Sequence, residues 1–259
     1  MRLAFGVEYD GTDFSGWQRQ LGQRTVQGCL EKALSKVAND GISVVCAGRT
    51  DTGVHATGQV IHVDTDAVRS PRGWIRGTNS NLTDDVRVHW VADMKDDFHA
   101  RFSARRRHYR YIIHNQATGS ALLRNRACRE YARLDETRMQ QAAACLLGEH
   151  DFTSFRAAAC QASSPVRTIY RLDITRSGDF VYIDVIANAF LHHMVRCIAG
   201  VLLAIGRGER QHDWVMELIA ARDRTLAGMN APAAGLYLVR VEYPQQFNVP
   251  STGWMPECG

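Results

Sequence analysis

One polar segment carries the residues with the clearest chemical potential: Gly48-Arg49-Thr50-Asp51-Thr52-Gly53-Val54-His55. A carboxylate sits at its centre, with an arginine two residues before it and a glycine on either side. Glycines let the backbone turn tightly and let a ligand approach closely, while Thr50 and Thr52 can anchor the loop through bonds to the main chain. Such an aspartate suits nucleophilic, general-base or electrostatic work in a cleft. The same residues also fit a plain turn with a solvated carboxylate.

A second candidate is Arg196, the one permanent charge in the apolar run Leu191–Ile205. Guanidinium keeps its proton, so a buried arginine needs a carboxylate or several acceptors. The partner is not identified by this argument, and the competing reading turns Arg196 to solvent with His192 and His193. Third, the stretch from Phe98 to Tyr111 interleaves aromatics with Arg101, Arg105, Arg106, Arg107 and Arg110. Guanidinium groups attract phosphates, and a ring such as Tyr109 stacks on an unpaired base at about 1–3 kcal/mol. Read blandly, it is a solvated charge run leading into a strand. Metal ligation is not expected: His55 and His62 are too loosely spaced for a ligand pair, His192 and His193 are adjacent, and no H-E-x-x-H set occurs. Glycine patterns for a P-loop or a dinucleotide are likewise missing.

These groups need a scaffold. Alternation over Arg2–Tyr9 predicts a half-buried strand closed by the turn residues Asp10-Gly11-Thr12-Asp13. A helix capped by Thr25 follows, with Leu30, Ala33, Leu34 and Val37 on one stripe. Strands are expected at Ser43–Ala47 and Gln59–Val63, holding the Asp51 loop between them. Ser70-Pro71 reads as a capped helix start, and Val86–Val91 as another strand, so this half runs β-α-β-β-α-β. Beyond the basic stretch come a strand at Tyr109–His114, a helix over Asp135–Leu147 and strands at Ile169–Thr175 and Phe180–Ala187. Helices over Leu191–Ile205 and Asp213–Ala221 and a last strand, Leu236–Tyr243, complete the reading. The expected class is α+β, two halves of comparable size with a groove between them. Residues 1–104 form the first half, 105–248 the second, and 249–259 a loosely ordered tail.

Composition agrees with a packed globular protein. Of 259 residues, 45% are hydrophobic and 22% charged, with only 6 prolines, which excludes disordered and collagen-like classes. The formal charge of +4 is mild, but lysine occurs only at Lys32, Lys36 and Lys95. The remaining cations are arginines, which suit phosphate recognition and also follow from codon bias in a GC-rich genome. Seven scattered cysteines without a C-x-x-C pair point to a reducing compartment, and the start of the chain lacks a secretory pattern, so a cytoplasmic protein is expected. Leu191–Ile205 is shorter than the roughly 18–20 residues of a membrane span and is interrupted by Arg196.

Several separated segments agree with one family. The loop Gly48–His55, Tyr9-Asp10-Gly11, Gly16-Trp17-Gln18-Arg19-Gln20, Phe98–Tyr111, Asn188–Arg196 and Gly235-Leu236-Tyr237-Leu238-Val239 closely resemble the TruA family of bacterial tRNA pseudouridine synthases, in order along nearly the whole chain. Thr52 departs from the pattern, which usually has Ala there. The resemblance implies a pseudouridine synthase fold, two ferredoxin-like halves with largely antiparallel sheets joined across a central cleft. It implies the cofactor-free isomerisation of uridine at positions 38, 39 and 40 of the tRNA anticodon stem-loop by a homodimer. Asp51 is then the catalytic aspartate and Arg196 its ion-pair partner. Tyr109 stacks on the everted base, Leu236 covers it, and Arg49 fills the vacated space. The nucleotide must leave its stack at a cost of a few kcal/mol. Arg101, Arg105, Arg106 and Arg107 are the expected RNA-binding cations. Two rivals remain: Asp51-Thr52-Gly53 is also the D-T-G triplet of aspartic peptidases, and a noncatalytic tRNA-binding module would need the arginines but not Asp51.

Overall fold

The computed structural model describes residues 1–158, 160–250 and 253–258. In chain order the elements are β1 (Arg2–Tyr9), α1 (Val26–Ala38), β2 (Val45–Cys46), β3 (His55–Asp64), α2 (Pro71–Asn79), β4 (Val86–Met94), β5 (Arg106–Asn115) and β6 (Cys128–Glu130). They continue with α3 (Glu136–Ala144), β7 (Gly148–Asp151), β8 (Val166–Ser177), β9 (Phe180–Ala187), α4 (Met194–Gly206), α5 (Trp214–Ala221) and β10 (Leu236–Glu242). Two compact units result: Met1–Arg107 with Tyr237–Pro256, and His108–Leu236 with Glu257–Gly259. The chain thus returns to the first unit with all of β10 but its opening residue.

In the first unit the strand order is β4-β1-β3-β10, with the short β2 beside β3. β1 lies antiparallel to β3, Phe5 opposite Ile61, and antiparallel to β4, Phe5 opposite Val91. β10 runs parallel to β3 with Tyr237 beside His55. Residues two apart share a face of a strand, so Leu3, Phe5 and Val7 bury one apolar row, and Phe5 meets Trp74 of α2 edge-on at 5.9 Å. The Thr25 hydroxyl accepts the Gly28 N–H to cap α1, whose Leu30, Ala33 and Leu34 are fully buried. Ser70 caps α2 in the same way, with Pro71 in the first turn.

Two expectations about the frame of the Asp51 loop change. The strand expected over Ser43–Ala47 shrinks to Val45–Cys46, because the Val44 N–H turns away to the Glu31 carboxylate at 3.1 Å. β3 begins at His55, four residues before the apolar signal at Gln59. Its first turn of chain is ordered by partners on both sides, Tyr9 opposite Ala56 and Tyr237 beside His55. Those residues are polar or small, which hid the strand, although His55, Thr57 and Gln59 are buried.

The second unit has the order β5-β9-β8-β7, with β6 parallel to β5. β8 and β9 form a long antiparallel pair, Leu172 opposite Val185 and Ile174 opposite Ile183. Asp135 caps α3 by accepting the N–H groups of Thr137 and Arg138. That helix stops at Ala144, short of the expected Leu147. Gly148, at φ +92°, redirects the chain into β7, whose polar residues pair with β8 and carry no apolar alternation. α4 likewise starts at Met194, because His193 before it is left-handed, at φ 63°. Among the described residues no helix is long and apolar enough to cross a membrane.

From the tail, Trp254 accepts the Thr57 hydroxyl at 2.8 Å and donates its indole N–H to Glu8, and Cys258 donates its backbone N–H to the Tyr182 hydroxyl. Ser251, Thr252 and Gly259 lie outside the described residues.

His62 supplies a pH-dependent part of the first unit's stability. It is 3% exposed, and its Nδ1 accepts the Ala100 N–H at 3.1 Å, which requires the neutral ring. Burial, helped by Arg2 and His99, pushes its pKa down to about 4. A depressed histidine is neutral in both states above its ordinary pKa near 6.5. It costs stability progressively as pH falls from there toward about 4, with no further loss below. We expect the His62 ring resonances to titrate near pH 4 by NMR. Stability should fall by about 2 kcal/mol from this group between pH 7 and pH 5, and His62→Gln should lack that component in urea titrations.

Candidate active site

The Asp51 loop is held from several sides by residues of the first unit. The Trp17 N–H donates to the Thr50 carbonyl at 2.9 Å, and the Thr50 hydroxyl lies 2.8 Å from the Tyr9 hydroxyl. Gln59 donates to the Gly48 carbonyl at 2.7 Å. On the far side of Asp51, the Val54 N–H donates to the Asp51 carbonyl at 3.1 Å, closing a tight turn with Gly53 at φ +77°. Thr50 and Val54 are buried, Asp51 is half-buried between them, and Thr52 and Arg49 are exposed. Burying both ends of a short turn fixes the carboxylate-bearing residue while leaving it accessible.

Two glycines make this packing possible. A Cβ on Gly11 would lie 2.0 Å from the Val54 carbonyl oxygen, and one on Gly16 would lie 3.0 Å from the Thr50 oxygen and 3.1 Å from the Thr52 nitrogen. Gly16 also sits at φ +81°, where a side chain is strained. The sequence reading gives Gly11 only a place in the turn after β1 and Gly16 no structural role. Their positions in the polar segment after β1 were visible, but the contact is long-range.

At the end of the loop, the His55 ring stacks on Tyr237 at 4.6 Å. Its Nδ1 lies 3.0 Å from the Gly11 nitrogen and 3.1 Å from an Asp10 carboxylate oxygen. Protonated, Nδ1 donates to Asp10, and unprotonated it accepts the Gly11 N–H. His55 and the Thr12 hydroxyl and N–H hold the Asp10 carboxyl well below the usual carboxylate range. Cys46, just upstream, is not a competing nucleophile, since burial pushes its thiol up to about 12.

Of the expected RNA-binding arginines, Arg101, Arg105 and Arg106 are exposed. Arg107 is not. It is 9% exposed, and its Nη2 donates to the carbonyls of Ala47 at 3.0 Å and Arg101 at 2.7 Å. Its fork is spent on backbone, so the surface role expected for it is corrected to a structural one. Arg110, in the second unit, is buried too and makes a forked pair with Asp184 at 2.9 and 2.7 Å. Burial pushes the Asp184 carboxyl up, but Arg110 and His108 outweigh it and hold it below its ordinary value.

The second unit carries the other expected site residues. Tyr109, on β5, is buried with its ring edge-on to Phe190 at 5.0 Å. Arg196 is half-buried in the first turn of α4. Its Nε donates to the Ala231 carbonyl at 2.9 Å, while its own carbonyl accepts the Ala231 N–H. This pins α4 to the segment leading into Leu236, which is 4% exposed at the start of β10. His193, left-handed at the head of α4, is fixed by Asn230 at 3.1 Å, and Asn230 also accepts from Cys197 and Arg224. Apolar periodicity ran the helix straight through these turns and gave no sign of this polar support.

A family model described as tRNA pseudouridine synthase matches residues 6–103 and 142–244. The chain belongs to the tRNA pseudouridine synthase family. The matched ranges contain Arg49, Asp51, Arg101, Arg196 and Leu236, whereas Tyr109 and Arg105 to Arg107 fall between them. Proteins named tRNA pseudouridine synthase A are similar over almost the whole chain. That of Legionella pneumophila is 55% identical, covering 96% of this chain and 95% of its own length. That of Pectobacterium atrosepticum is 53% identical, over 96% and 88%, and that of Shewanella piezotolerans 52%, over 99% and 98%. Membership brings with it the pseudouridine synthase fold, an α+β fold, and removes the peptidase reading of Asp51-Thr52-Gly53.

The glycine packing generates a paired test. Gly16 and Gly22 both have positive φ, but nothing lies within 4 Å of a Cβ at Gly22. Each alanine substitution should cost about 1 kcal/mol in backbone strain. Gly16→Ala alone should displace the Asp51 loop and, on a catalytic role for Asp51, lower turnover at least about tenfold, because small misplacements of a reacting group are costly. Equal turnover in the two variants would show that Gly16 does not position the loop.

Proposed function

We propose that this enzyme, an isomerase converting uridine to pseudouridine in tRNA, uses Asp51 as its catalytic carboxylate and acts at positions 38, 39 and 40 of the anticodon stem-loop. The observation that carries the assignment of Asp51 is its place at the accessible apex of a turn buried at both ends, in a segment that the family model covers. A carboxylate so presented can attack the sugar or the base, or take a proton, without first ordering its own loop.

Arg196 is the second catalytic group in this reading, the guanidinium that pairs with Asp51 in the reacting complex. Its support is its rigid seat. An arginine whose Nε is already engaged by a carbonyl keeps its remaining N–H groups in a defined direction. Tyr109 stacks on the everted base, Leu236 covers that base, and Arg49 occupies the gap left in the stem. Exposure of Arg49 and rigid packing of Tyr109 on Phe190 support these two roles. Arg101, Arg105 and Arg106 neutralise phosphates. The enzyme acts as a homodimer in the cytoplasm, where its tRNA is found.

Mapping pseudouridine in unmodified tRNA tests the assignment. Asp51→Asn should abolish modification at all three positions while tRNA affinity stays within a few fold. Retained modification would remove Asp51 from the chemistry, and an equal loss of binding would favour a noncatalytic tRNA-binding module.

A companion pair separates turnover from binding. Arg196→Met should lower kcat by about a hundredfold or more, in keeping with loss of a charge partner at the reacting group. Arg105→Met should act on affinity and reduce the slope of log affinity against log salt by about 0.7–0.9, one phosphate contact. Similar effects of both on kcat would undo the distinction, and thermal midpoints identify any variant that is simply less folded.

A further inference from the structure

Phe102 is 75% exposed, yet its ring is held in a defined position. It stacks on the His99 imidazole with centroids 4.3 Å apart and planes at 28°. His99 is fixed in turn. Its Nδ1 accepts the N–H groups of both Arg101 and Phe102 at 3.1 Å, its carbonyl accepts the Ser103 N–H, and its own N–H reaches the Ser103 hydroxyl. Behind it stands the buried His62 ring at 4.8 Å. Accepting two N–H groups requires the neutral imidazole, and burial, with Arg2 and Arg101 nearby, pushes the His99 pKa down in agreement. Single exposed apolar residues are common and usually mean nothing. Phe102 differs because its orientation is set by a stack and four hydrogen bonds within one turn.

The surroundings specify what such a ring would meet. The exposed Arg101 guanidinium lies 5.4 Å from the Phe102 centroid, and exposed Arg105 and Arg106 follow in the chain. An aromatic face with a guanidinium beside it matches a nucleotide, a flat base carrying a negative phosphate. It matches a second apolar protein surface poorly, since the cations would have to be desolvated. Arg107 adds a mechanical link: the same Nη2 that grips the Arg101 carbonyl grips the Ala47 carbonyl at the base of the Asp51 loop. The turn carrying Phe102 is therefore tied to the loop carrying Asp51 through one buried guanidinium.

We propose that Phe102, backed by His99 and flanked by Arg101, is a stacking platform for an unpaired base of the tRNA substrate. It rests on the reading of this chain as a tRNA-modifying enzyme and adds a second base contact to the one assigned to Tyr109. The base and the ring each lose water from the faces they bring together, and a ring already fixed by His99 gives up little rotamer freedom when the base arrives.

The test measures affinity for unmodified tRNA, KM and kcat for Phe102→Ala, Phe102→Leu and Phe102→Tyr at one salt concentration, with sedimentation to follow assembly. Stacking of one base predicts a loss of roughly 5- to 100-fold in affinity for Ala. Leu should fall nearly as far, since it keeps apolar area without a π face, and Tyr should bind within about twofold of wild type. The loss should appear in KM rather than kcat, with the salt slope unchanged because no phosphate contact is removed. Wild-type affinity in the Ala or Leu variant would overturn the proposal. So would a shift in assembly state that accounts for the affinity change, which would assign the ring to a second copy of the chain. Pseudouridine formation by Asp51→Asn, measured alongside, would refute the catalytic assignment without moving the affinities of the Phe102 series, so the two failures are distinguishable.

Discussion

The close approach of two glycines to the Thr50–Val54 backbone is the constraint on which the rest of the first unit depends. With Gly11 against the Val54 carbonyl and Gly16 against the peptide groups around Asp51, backbone meets backbone where no side chain fits. The polar groups freed by that approach are satisfied locally. Trp17 donates to Thr50 and Tyr9 meets the Thr50 hydroxyl. A loop secured by backbone contacts and buried hydrogen bonds has few alternative arrangements, which is what the catalytic role proposed for Asp51 requires.

Arg107 extends this rigidity to the surface. Five arginines lie in the stretch from Phe98 to Tyr111, and the fold puts them to two uses. Arg107 and Arg110 go inward, one to carbonyls and one to Asp184, where unpaired burial would cost several kcal/mol. Arg101, Arg105 and Arg106 stay outside. Arg106 pairs with Glu242 at 3.7 Å, and the backbone of Arg101 is held by the buried Arg107.

In the second unit the corresponding support is polar as well. α4 is almost wholly apolar in its buried face, so its start is not set by hydrophobic packing but by His193, Asn230 and the paired backbone bonds between Arg196 and Ala231. These bonds fix where Arg196 leaves the helix. A guanidinium needs such a seat because its long stem otherwise carries about 2 kcal/mol of rotamer entropy.

Much of this architecture is legible in the residues themselves. The strand Arg2–Tyr9, the caps at Thr25 and Ser70 and the strand Phe180–Ala187 follow from local rules, because alternation and capping act between near neighbours. The turn at Asp51, bracketed by glycines in a polar segment, is legible on the same grounds, and the resemblance carried by several ordered motifs named the family. Other features depend on partners far along the chain. The early start of β3 needs Tyr9 and Tyr237, β7 needs β8, and the left-handed turn at His193 needs Asn230. Which arginines of one run are buried is decided the same way, since all five are chemically identical in sequence and only a carbonyl or carboxylate waiting in the fold turns one inward. Local preference is written in adjacent residues, whereas the choice among equal residues belongs to contacts that exist only once the chain has closed on itself.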